Sequence, residues 1–81
     1  MIDAMVNEDD IVIMRKQNQV NNGDMAAVWI TPDDTTTLKY FYNEGEKIRL
    51  QPANPYMDAI YVHPANVRVE GKVVMVLRHT V

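Results

Sequence analysis

Apolar residues along the chain come in short runs separated by turn-forming clusters, and no run holds a helical period. Ile11-Val12-Ile13-Met14 is rich in β-branched residues and lies between Asp9-Asp10 and Arg15-Lys16. The cluster Asn21-Asn22-Gly23-Asp24 precedes a second apolar run, Met25 to Ile30, which Thr31-Pro32-Asp33-Asp34 breaks. Proline cannot donate to a sheet ladder and pre-sets a turn, so a strand is expected to end near Ile30. Thr35 to Tyr42 is rich in threonine and aromatics, residues that suit a half-buried pleated surface. With Asn43-Glu44-Gly45-Glu46 after it, this segment predicts two consecutive hairpins. Ile48 and Leu50 alternate with Arg49 and Gln51, as in a strand with one wet face. Pro52 and Pro55 predict an irregular passage before Ala59 to Val62. Val67 to Leu77 reads as one long strand, or as two with Gly71 at a bulge or bend. A single helical turn is the only helix expected, at Ala4 to Glu8. Short strands every 8–12 residues or so predict an all-β domain, barrel-like or a sandwich, built from hairpins.

Length and composition narrow the picture. Eighty-one residues make one small domain, and a chain of this size buries roughly 60–65% of the surface its unfolded form exposes. It contains no cysteine, so neither disulfides nor thiolate metal sites contribute, and a reducing compartment fits. No apolar run approaches the ~18–20 residues needed to cross a bilayer. The acidic start, MIDAMVNEDD, lacks the basic-then-apolar order of a signal peptide; a cytoplasmic protein without membrane contact is expected. The net charge is −3, and the eight Lys and Arg are scattered. A nucleic-acid surface would need a basic stripe, so any DNA binding is expected of another domain.

Lys39 is the most informative single residue. In Thr37-Leu38-Lys39-Tyr40-Phe41 the period of two puts Thr37, Lys39 and Phe41 on one face, with Leu38, Tyr40 and Tyr42 on the other. A lysine in a dry site loses its proton more readily and can then serve as general base to a serine. The pattern equally fits a solvated lysine whose stem lies along the sheet. Glu8, Asp9 and Asp10 could be metal ligands, but adjacent carboxylates on an extended chain diverge; a turn and solvated edge is the simpler reading. His63 and His79 have no partner at metal-binding spacing and read as surface residues. No metal or cofactor is expected. The chain contains no serine. Its hydroxyl candidates Thr31, Thr35, Thr36, Thr37 and Thr80 stand in no glycine-flanked or strained turn. Unaided, the chain reads as a non-catalytic β module.

Five motifs, in order, carry a resemblance. Met1 to Val12 resembles the segment after the nucleophilic serine of the LexA-type, serine–lysine self-cleaving peptidases, with Met1 matching the methionine after that serine. Asn21-Asn22-Gly23-Asp24 with Met25 to Ile30 resembles the family's "NGD" turn and its next strand. Thr37 to Phe41 resembles the strand that carries the general-base lysine. Leu50-Gln51-Pro52-Ala53-Asn54-Pro55-Tyr56, then Ile60, resembles "L-x-P-x-N-P-x-Y", and Val69 to Val74 resembles the final "I-x-G-x-V-V" strand. Two departures stand out: Asp9 replaces a glycine, and the Thr31–Thr36 loop is longer than the family pattern.

The resemblance implies that residues 1–81 are a C-terminal self-cleavage and dimerisation domain, truncated just after the expected serine. Lys39 would be the general base of a Ser–Lys pair whose serine is absent before Met1, which leaves this chain inactive as a peptidase. The parent would be a transcription repressor of the SOS response to DNA damage. It would be cut between its domains when a recombinase filament stimulates it, and would be a homodimer that binds DNA through a domain not present here. Val73 to Leu77 would form the dimer surface; the simpler reading is a central buried strand. A phage repressor, a translesion-polymerase accessory protein of the same superfamily, and a non-catalytic protein-binding β module remain alternatives. A signal peptidase fits less well.

Overall fold

The computed structural model describes residues 11–31, 33–54 and 56–77. The expected turn at Ala4 to Glu8 and the acidic cluster Glu8 to Asp10 lie outside them, as do His79 and Thr80. Strands β1 (Ile11–Lys16), β2 (Met25–Ile30), β3 (Thr35–Asn43), β4 (Ile48–Gln51), β5 (Ile60–Val62) and β6 (Val67–Leu77) follow the apolar runs closely, and a 3-10 turn, Pro64–Asn66, precedes β6. Among the described residues the strands form one antiparallel sheet in the order β1-β6-β2-β3-β4-β5, so the all-β expectation holds. No helix among them is long and apolar enough to cross a membrane.

The local chemistry explains the boundaries. Gly23 adopts a φ of +92°, a backbone that costs glycine little, and the turn closes through Asp24 N–H donating to Asn21 C=O at 3.0 Å. Gly45 does the same between β3 and β4 with a φ of +89°. Asp34 closes the β2–β3 hairpin at a φ of +54°. Its carboxylate accepts the Trp29 indole N–H at 2.9 Å, and its N–H donates to Ile30 C=O at 2.8 Å. His63 is exposed, as expected of a surface residue, and its Nδ1 accepts the Ala65 N–H at 3.0 Å, capping the 3-10 turn.

Apolar packing covers both faces of the sheet. One cluster holds Ala26, Val28, Ile30, Phe41, Ile48 and Leu50, with Val20, Val62, Val67 and Val69 packed against it. The other, on the opposite face, holds Ala27 and Leu38 with Val12, Met25, Val73 and Val76. Strand β6 serves both because it is bulged twice. Opposite β2, Val28 pairs with Val69 and Ala27 with Gly71, which leaves Glu70 as the extra residue. Opposite β1, Met14 pairs with Val73 and Ile13 with Met75, which leaves Val74 extra. Each extra residue reverses the in–out alternation beyond it. Gly71 is therefore beside a bulge in one continuous strand. A Cβ there would stand 2.9 Å from the Arg15 carbonyl oxygen, which is why the close β1–β6 approach needs glycine.

Candidate functional site around Lys39

Lys39 lies near the middle of β3, flanked by β2 and β4. It is 7% exposed, and the neighbouring Leu38 and Phe41 are 5% and 8% exposed. Both faces are dry at this point, so the solvated-lysine reading does not hold. Register places Lys39 opposite Ala26, and Thr37 opposite Val28. Lys39, Thr37 and Phe41 therefore share the face of the larger cluster, while Leu38 points to the other side. Ala26 is fully buried, and its single methyl leaves room for a long side chain beside it. Nζ donates to Thr37 Oγ1 at 2.7 Å. The sequence placed these two residues on one face; the i,i+2 spacing on a strand was the signal for this contact.

The turn before β2 fixes the strand segment that carries Lys39. Gly23 N–H donates to Phe41 C=O at 2.8 Å, Phe41 N–H donates to Asp24 C=O at 2.9 Å, and Asn43 N–H donates to the Asn22 side-chain oxygen at 2.8 Å. These bonds continue the β2–β3 ladder past the end of β2. Asp24 also accepts the Asn21 N–H at 2.9 Å and stands 3.5 Å from Lys72 Nζ. Lys72 pairs with Ala26 from the β6 side, so Lys39, Ala26 and Lys72 form one row across three strands. The Asp24–Lys72 pair joins residues far apart in sequence, and nothing in the apolar pattern pointed to it. Two shallow clefts open beside this row. Gln17, Gln19, Val20, Asn21, Asp24 and Lys72 line one, and the other reaches Phe41 and Val69.

Thr31 and Thr35 stand at the ends of the β2–β3 hairpin. Thr31 Oγ1 donates to Asn66 C=O at 3.3 Å, and Thr35 and Thr36 are exposed. Of the four described threonines, only Thr37 is brought to Lys39. Lys39 is thus a buried amine on a central strand, with the Thr37 hydroxyl as a hydrogen-bond partner.

The chain is similar to known proteins along nearly its whole length. The Peptidase S24-like family matches residues 1–74. The chain is 55% identical over 78 residues to the LexA repressor of Roseiflexus sp. (strain RS-1), covering 96% of this chain and 36% of that protein. It is 46% identical over 79 residues to the LexA repressor of Herpetosiphon aurantiacus, covering 98% and 37%. It is 47% identical over 78 residues to the LexA repressor of Bacillus subtilis, covering 96% and 37%. The chain thus spans a little over a third of the length of these relatives. By its sequence and its all-β fold, it belongs to the Peptidase S24-like family.

Proposed function

We propose that this chain is the regulatory C-terminal domain of a LexA-like transcription repressor, holding the general base of a Ser–Lys self-cleavage pair and a dimer surface. One observation supports the reading above all. Lys39 is buried on the strand where the family resemblance expects the base, and its nitrogen is held by Thr37 at 2.7 Å. In the implied reaction an uncharged Lys39 Nζ takes the proton of a serine hydroxyl. The serine oxygen then attacks the carbonyl carbon of the scissile peptide bond. The tetrahedral adduct collapses with loss of the amine, which receives its proton from Lys39, and water later releases the acyl group. Thr37 acts as a positioning residue, directing Nζ through its hydroxyl. No serine is present in the sequence, so this chain alone supplies the base without the nucleophile and does not cleave.

The remaining parts of the reading concern a longer protein. DNA binding belongs to a separate domain, stimulation comes from a recombinase filament in the SOS response, and the setting is cytoplasmic. Self-association uses the end of β6. Past Lys72, β6 pairs with β1 only, so one edge of Val73 to Leu77 has no strand partner among the described residues. Ile11, Ile13, Met75 and Leu77 on this strand pair are 61%, 41%, 52% and 43% exposed. Apolar exposure beside an open strand edge favours a protein partner, and a second copy accounts for it most simply.

The test is a longer protein that carries a serine immediately before Met1 and the upstream cleavage loop. Incubated at neutral and alkaline pH, it should cut itself into two fragments visible by mass spectrometry. Lys39→Ala should abolish cutting, and Thr37→Val should slow it about 10-fold, the size of a lost orienting hydrogen bond of roughly 1.4 kcal/mol. An intact protein, or unchanged cutting in Lys39→Ala, defeats the reading.

A further inference from the structure

We draw no further inference here: the strongest candidate, the exposed apolar patch of Ile11, Ile13, Met75 and Leu77 on the outer β1–β6 pair, is the surface already proposed for self-association, and nothing in the structure shows another occupant.

Discussion

Replacing Lys39 by methionine asks whether the buried lysine is there for chemistry or for stability. The side chain is 7% exposed, so its nitrogen has left bulk water. That transfer costs about 2–7 kcal/mol for a neutral polar group in the absence of compensation, and more for a charged one. A single hydrogen bond such as that to Thr37 at 2.7 Å returns about 0.5–1.5 kcal/mol net, or about 1.5–3 kcal/mol if the nitrogen is charged. Methionine keeps a stem of similar length and needs no partner. It leaves the Thr37 hydroxyl behind, but Thr37 is only half-buried and water can reach it. The apolar side chain should therefore be tolerated or preferred, with a gain between zero and about 2 kcal/mol, as for other buried polar groups exchanged for apolar ones of similar volume.

Lys39→Ala provides the control. It removes three methylenes of the stem as well as the nitrogen, and at about 0.8 kcal/mol each this forfeits about 2.4 kcal/mol before any cavity term. The expected order is Met at or above the parent, with Ala at least about 2 kcal/mol below Met. A chain of 81 residues is stable by only about 4–12 kcal/mol, so these differences are large. Urea unfolding followed by the fluorescence of Trp29, the sole tryptophan, resolves them. A methionine variant that falls about 2 kcal/mol below the parent, level with alanine, would make Lys39 a structural residue. The claim that the fold carries it for the sake of catalysis would then be refuted.

Three further outcomes follow from the geometry. Met75→Lys, on the exposed part of β6, should shift the protein towards a monomer in sedimentation; an unchanged mass would remove that surface from the dimer. Gly71→Ala should destabilise by about 1–3 kcal/mol, because the new methyl meets the Arg15 carbonyl oxygen at 2.9 Å, and should speed amide exchange in β1; an unaltered melting temperature would mean that β1 moves aside freely. Asp34→Ala combines a positive φ of 54° with loss of the bond from Trp29. It should cost about 1–3 kcal/mol, whereas Asp34→Asn, which tolerates the backbone and keeps an acceptor, should stay close to the parent in thermal unfolding.

The strands were legible because each is bounded by residues with a local backbone reason to stop. Met25–Ile30 is set by the Asn-Gly-Asp turn on one side and Thr31-Pro32 on the other, and the bounds drawn from sequence agree with the structure. Pairing was legible only where a short turn enforces it, in β2–β3–β4. That β6 inserts between β1 and β2 depends on contacts between residues far apart in sequence, such as Ile30 with Val67 and Ile11 with Leu77, for which a local pattern has no term. The site divides in the same way. The face shared by Lys39 and Thr37 is a consequence of strand period. The dryness around them comes from neighbours such as Ala26 and Leu50, both fully buried, which reach the site only through sheet order. Conversely, Ile11 and Met75 look like core residues in sequence and are exposed in the sheet, because an edge strand pair has no layer over it among the described residues.

The two bulges of β6 reverse the alternation twice, so Met75 and Leu77 lie on the same side of the sheet as Val69, at the far end of the strand. Before Glu70, Val67 and Val69 pack into the cluster on the Lys39 face. After Val74, Val76 supports the opposite cluster, while Met75 and Leu77 stand exposed, paired with Ile13 and Ile11. Strict alternation would put Val69, Val73, Met75 and Leu77 on one face; the two bulges move Val73 to the other, where it joins Val76. The exposed end is therefore anchored through Val73 and Val76 to the Ala27–Leu38 cluster, on the face away from Lys39. Changes at sites that pack against different clusters act nearly additively. Met75→Lys in the serine-bearing protein should therefore weaken association while leaving the intramolecular cutting rate within about twofold of the parent. A large loss of cutting in the monomeric variant would instead mean that the second copy helps to complete the site.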